Sequence, residues 1–261
     1  MNPVARCEKP AYFSVEFQTP LGPVRGKVQI DTGSMRLVDL VPTAYELTNI
    51  LVERANRSEE KVGKQITCGP GCGTCCSQMV ALSPPEAFFL ADLVESFPGP
   101  LQKEVMERFH AIKKELEAKA LVEDLLDPST SDEVVLSIAR TYFFLNLPCP
   151  FLVNQSCSIH PYRPIACREY NVISPATWCA NPYHFEIEKV TMPLPFSAPL
   201  SILTGKLSGW KPRLIPLTLS LRWVSEHSDL KECHWPGIEL FQHFMDVVGR
   251  IPQENSGEPA L

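Results

Sequence analysis

The sequence has no long hydrophobic run. Residues 190–204 lack charge, but prolines interrupt them, and no segment reaches the ~18 continuous apolar residues of a spanning helix, so a helical membrane protein is excluded. There is no basic patch. The 24 Lys+Arg stand against 30 Asp+Glu for a net charge of −6, the wrong sign of field for a nucleic-acid binder. There is no apolar leader either: residues 1–10 carry Arg6, Glu8 and Lys9, from which we expect a reducing, cytoplasmic setting. Neither G-x-G-x-x-G nor a phosphate loop occurs, which leaves a Rossmann-type methyl-donor pocket without support. The histidines at 110, 184, 227, 234 and 243, taken with Gly33-Ser34-Met35, form no readable catalytic triad.

What is abundant is proline and cysteine. The 261 residues, 44% of them hydrophobic, suffice for one core. The 25 prolines are about twice the usual share of roughly 5%, and they crowd between Pro148 and Pro216, where turns and short elements are expected in place of long helices. Eight of the ten cysteines fall between Cys68 and Cys179. In a reducing compartment such a cluster reads as metal-binding or catalytic, not as disulfides.

The pattern predicts an α+β fold: a mainly helical core, a small N-terminal antiparallel β meander, and two cysteine-rich, proline-rich metal-binding loops. Residues 11–41 alternate between apolar and polar around the breaks Thr19-Pro20-Leu21-Gly22-Pro23 and Asp31-Thr32-Gly33-Ser34, giving two or three strands. Leu47, Ile50, Leu51 and Ala55 predict a helix over 43–57, with Thr43 and Glu46 as its capping box. Ser83-Pro84-Pro85-Glu86 is a strong helix start, and the helix to residue 97 is apolar nearly all round, hence central. An amphipathic helix follows with Leu101, Val105, Phe109, Ile112, Leu116 and Leu125 on one stripe, then a third after Ser131-Asp132-Glu133 through Leu145. Residues 217–227 and 238–250 also read as helical. Trp210, Trp223 and Trp235 are expected to fill the core. We divide the chain into an N-terminal β extension with the first helix (1–60), a cysteine-cluster metal-binding domain (61–185), a proline-punctuated helical segment on the same core (186–251) and a disordered tail (252–261).

The first cluster, Cys68-Gly69-Pro70-Gly71-Cys72-Gly73-Thr74-Cys75-Cys76, puts four thiols in nine residues with three glycines between them. Glycine permits the positive φ that turns backbone N–H groups toward a metal-bound sulfur. The second comprises Cys149-Pro150-Phe151-Leu152, then Cys157, His160, Arg163-Pro164 and Cys167-Arg168, then Cys179. Isolated Cys7 and Cys233 read as ordinary small residues. Zinc and an iron–sulfur cluster both accept all-thiolate shells, and eight thiolates could serve two zinc ions or one four-iron cluster with ligands to spare. The Cys68-x-x-x-Cys72-x-x-Cys75 piece also has radical-SAM spacing, but Thr74 stands where an aromatic is usual and no strand–helix repeats follow.

The combination C-x(2,3)-C-x-x-C-C, C-P-F-L and C-x-I-x-x-x-R-P-x-x-C-R, followed by a later cysteine, resembles the YkgJ-like family of zinc- or iron-chelating domains, a group that also contains flagellin lysine-N-methylases. The resemblance covers about Cys68 to Cys179. It implies metal binding through Cys68, Cys72, Cys75, Cys76, Cys149, Cys157, Cys167 and Cys179. The family usually has tyrosine at the position of His160, which argues against imidazole as a ligand. Arg163 and Arg168 flank Cys167 and are expected either to hydrogen-bond the sulfurs or to fix the loop through carbonyls. The expected cofactor is zinc or an iron–sulfur cluster. The expected role is a structural or electron-transfer centre; the alternative is a metal-dependent modifying enzyme such as an S-adenosylmethionine-using protein lysine N-methylase. The expected partners are the metal ion and a protein partner or substrate, with no nucleic acid and no membrane.

Overall fold

A computed structural model describes residues 10–250. Cys7 and the 252–261 tail lie outside the described residues. The chain opens with a hairpin of β1 (Ala11–Phe17) and β2 (Val24–Ile30), paired from Ala11↔Ile30 to Phe17↔Val24. The period-2 pattern puts Val15, Phe17, Val24, Val28 and Ile30 on the buried face. At the turn Gly22 takes φ +87°, and its N–H and carbonyl both bond Thr19. The third expected strand, β3 (Ser34–Arg36), does not extend this hairpin.

A 3₁₀ turn, Leu37–Leu40, runs directly into α1 (Val41–Lys61). The helical start therefore lies upstream of the expected Thr43 cap. Asp39 instead accepts from the Arg36 N–H at 2.7 Å, and Thr43 is buried within the first turn. Helix α1 lays Ala44, Leu47, Leu51 and Ala55 on the core. Its Ile50 approaches β2 so closely that a Cβ on Gly26 would lie 3.0 Å from Ile50 Cδ1.

After the first cysteine loop, β4 (Ala81–Leu82) leads into α2 (Pro84–Glu95), whose Ser83–Glu86 capping box forms as the sequence predicts. Ala87, Phe88, Leu90, Ala91 and Val94 are buried on more than one side of α2, which makes it the central helix. The long amphipathic stripe is broken into α3 (Gly99–Ala118) and α4 (Val122–Leu126), because Ala120 turns left-handed at φ 56°. Ser131 caps α5 (Asp132–Phe144) by accepting from the Val134 N–H.

The proline-rich half is, as expected, made of short pieces: β5 (Leu152–Val153) and β6 (Ser156–Cys157), α6 (Ile165–Glu169), α7 (Pro199–Ser208) and β7 (Ile215–Pro216). The chain ends in α8 (Ser220–Glu226), α9 (Ser228–Lys231), β8 (His234–Pro236) and α10 (Gly237–Val248). Strand β3 pairs antiparallel with β8, and β4 with β7. These pairings stitch the start of the chain to its end. One apolar cluster runs from Val15 through Phe88 and Phe151 to Phe244, and a smaller one joins α3, α4 and α5 through Leu116, Val122, Leu125, Ile138 and Tyr142. Trp223 is 1% exposed and belongs to the core, whereas Trp210 is partly at the surface. No helix among the described residues is long and apolar enough to cross a membrane.

Candidate metal centre

The first cysteine loop is built from two successive turns, closed by Cys72 N–H on Gly69 O at 3.1 Å and Cys76 N–H on Gly73 O at 3.0 Å. Its glycines have different jobs. Gly71 supplies the expected positive φ, 86°. Gly73 is needed for space: a Cβ there would stand 2.6 Å from Gln155 O and 2.6 Å from Leu152 Cδ1. That contact seats the loop on the β5–β6 hairpin, whose Asn154 and Gln155 both take the left-handed φ of a tight two-residue turn. Gly69 shows neither constraint.

Two sets of backbone bonds tie the loop to the distant half of the chain. Thr67 donates its N–H to Val172 O at 2.9 Å and its hydroxyl to Ser174 O at 2.6 Å. Cys149 donates its N–H to Cys76 O at 2.7 Å. The eight expected ligands are thereby gathered: Cys149 just ahead of β5, Cys157 on β6, Cys167 on α6 and Cys179 on a 3₁₀ turn all face the first loop. Cys75 is the hub. Its thiol is hydrogen-bonded to that of Cys76, and Cys68, Cys149, Cys157, Cys167 and Cys179 all sense its charge. Cys72 is the neighbour of Cys68 and Cys179. The nine cysteines among the described residues are free thiols; Cys233 is exposed, away from the group.

The electrostatics is that of a site built for a cation. Burial, reinforced by neighbouring thiols, pushes Cys149 up to about 12 and Cys179 up to about 11, and raises Cys68, Cys157 and Cys167. The Cys75 thiol is raised first by its bond to Cys76 and then by burial. Thiolates packed this closely repel one another, and the charge needs an ion to hold it. Backbone amides are nevertheless already aimed at sulfur: Val172 at Cys68, Phe151 at Cys149 and Ile159 at Cys157. The last two come from two residues further along the chain, where a metal-bound thiolate receives its outer hydrogen bonds.

The arginines divide the roles that the sequence leaves open. Arg168 fixes the loop: it donates to Arg163 O at 2.8 Å, to Pro161 O and to Asn49 Oδ1 at 3.0 Å, and lies 4.1 Å over the Tyr45 ring. Arg163 faces the sulfurs and favours ionisation of Cys68, Cys75, Cys157 and Cys167. Its Nη1 pairs with His160 Nε2 at 2.8 Å, which keeps that imidazole nitrogen out of the cluster, while its buried Nε has no protein partner. A thiolate cage carries the acceptor that this donor lacks, so the residues present fit a thiolate-bound metal. Among the described residues no three His, Cys, Asp or Glu side chains are already set as a coordination shell; the thiols are neighbours that an ion would draw together.

Three contributors carry no signal in the sequence. Glu86 is buried. Beyond its cap, with Oε2 on Ser83 N–H at 3.0 Å and on the Ser83 hydroxyl at 2.7 Å, its Oε1 accepts from the Ile165 N–H at 2.8 Å and so anchors the start of α6, the helix of Cys167. Tyr170 bonds the Cys179 side chain, and Gln78 bonds Tyr170.

Neither the curated proteins nor the solved structures include a match to this chain. A family model does match, and it spans all eight clustered cysteines. Residues 67–184 match the model of the family described as "Putative zinc- or iron-chelating domain".

Proposed function

We propose that this protein holds zinc or iron through Cys68, Cys72, Cys75, Cys76, Cys149, Cys157, Cys167 and Cys179, and that the metal fastens the two halves of the fold. The observation that carries this reading is the gathering of thiols from residues 68–76 and 149–179 around Cys75, with backbone amides aimed at three of the sulfurs. Few direct bonds join the two segments, so a bound ion would supply cohesion that packing leaves out. When bound, zinc supplies a fixed tetrahedral cross-link, and iron adds the capacity to exchange an electron. The protein's own part is to present sulfur, to shield it, and to neutralise it with Arg163. Free thiols in this number suit a reducing compartment such as the cytoplasm.

Cys75→Ser tests the reading. It should lower bound metal and melting temperature together, whereas Cys233→Ser leaves both near wild type. Wild-type metal content in Cys75→Ser would remove Cys75 from the ligand set.

A further inference from the structure

We propose that the cleft between α4–α5 and α7–β7 is a binding site for a small apolar molecule that carries one ammonium group. The cleft is lined by no cysteine, and the proposal does not depend on what the cysteines hold.

The cleft has a volume of about 310 Å³, at the lower end of the roughly 300–1,000 Å³ of small-molecule sites. Three separate parts of the chain wall it: Met79 and Ala81 on the way out of the first cysteine loop, Val135 and Ala139 on α5, and Ala198 and Ser201 at the start of α7. Ala81, Ala139, Ala198 and Ser201 are too short to fill the space between these elements, and Leu125 and Pro216 complete an apolar floor. Bonds within the protein join the walls. Strand β4 pairs with β7 through Ala81↔Pro216, and Leu217 donates its N–H to Val80 O at 2.8 Å. Ser201 donates its hydroxyl to Arg213 O, and Arg213 donates through Nη2 to Leu126 O. The cavity is thus formed before anything enters it, as small-molecule sites commonly are.

Charge in the lining decides the class of occupant. Two cations, Lys211 and Arg213, stand against three carboxylates, Asp124, Asp127 and Asp132. Both cations act on Asp127, which is held below the usual carboxylate range first by the Ser129 N–H and hydroxyl and then by Arg213 and Lys211. Asp124 and Asp132 are exposed, and among the described residues neither makes a side-chain hydrogen bond or an ion pair. An ammonium group brings three donors to these free acceptors. Its apolar body would cover Met79, Val135 and Ala139, which the protein leaves only half-buried. An anion, by contrast, would have to compete with Asp127 for both cations. The net charge of −6 on the chain draws a cation in the same direction.

The test is methionine-methyl NMR of the full chain as purified, titrated with n-octylamine, n-octanol and n-octanoate, which share an apolar tail and differ in charge. Octylamine should shift the Met79 methyl signal saturably and leave that of buried Met35 in place. It should bind about 3–10-fold more tightly than octanol, with octanoate weakest. Replacing Asp124→Asn and Asp132→Asn together keeps the shape of the cleft and should bring octylamine down to the affinity of octanol. Ala139→Phe fills the cleft and should abolish the Met79 shift with all three. Octanoate binding as tightly as octylamine, an amine affinity unchanged in the double variant or in a folded Ala139→Phe chain, or no Met79 shift with any of the three overturns the proposal. Should Ala139→Phe lose its helical circular dichroism, the double variant decides alone. Each of these results leaves the metal-binding reading as it stands, because that reading is tested by metal content.

Discussion

The most informative single-atom change is Glu86→Gln. The carboxylate receives three donors, Ser83 N–H, Ser83 Oγ–H and Ile165 N–H, at 3.0, 2.7 and 2.8 Å. Burial raises its pKa, and the donors, with Arg168 nearby, work against that rise. Glutamine has the same shape but only one acceptor oxygen. With that oxygen kept on Ser83, the new NH₂ faces the Ile165 N–H, which lies in a fully buried residue and loses its partner. A buried peptide donor left unsatisfied costs about 1–3 kcal/mol. At roughly 2–4 °C per kcal/mol for a chain of this size, the melting temperature should fall by roughly 2–12 °C. The same change at Glu104, in an exposed ion pair with Arg108, should cost less than about 1 kcal/mol. Because Ile165 opens the helix of Cys167, Glu86→Gln should also lower zinc occupancy at limiting zinc. Thermal melts by circular dichroism and zinc per chain are the assays. A Glu86→Gln protein that melts within a degree of wild type would refute the view that this carboxylate anchors the second cysteine segment.

Arg163→Gln removes the cation beside the thiols, and metal affinity in a competition titration with a chelator should drop about 10–100-fold while the metal-free chain melts unchanged. An unchanged affinity would assign Arg163 to loop structure alone. Gly73→Ala forces a Cβ into Gln155 O and Leu152 Cδ1, and should lower metal content more than Gly69→Ala, where the space is open; equal effects would contradict the seating of the loop on the hairpin. Burial pushes Glu169 up to about 8 in the folded chain, above the unfolded value of about 4.3. Its stabilising contribution is therefore full below about pH 4 and lost as pH rises through about 8. Glu169→Gln keeps an acceptor for the Phe196 N–H and should remove a loss of stability of order a few kcal/mol across that window. Parallel urea-unfolding curves for wild type and variant at every pH would contradict this.

What could be read in the sequence is what local chemistry decides. The Ser83–Glu86 box, the apolar helix behind it and the N-terminal hairpin are set by neighbouring residues, and each forms where the pattern puts it. The misses depend on contacts between distant parts of the chain, or on a single backbone choice. Nothing in Ser34–Arg36 says that its partner is His234–Pro236. A helical stripe that runs unbroken from Leu101 to Leu125 does not reveal that Ala120 will turn left-handed. At the site, four thiols in nine residues are visible as composition. Their convergence on the 149–179 segment depends on Thr67, Glu86 and Gly73, whose roles exist only once the chain has folded. Of the two arginines flanking Cys167, spacing could not show that one faces carbonyls and the other sulfur.

The central claim is tested most directly by elemental and acid-labile sulfide analysis of the untagged protein, purified without oxygen. The account predicts zinc or iron bound in fixed proportion to the chain and lost on denaturation, with sulfide present only if the iron is in a cluster. A folded, metal-free protein that takes up neither ion under reducing conditions would contradict it.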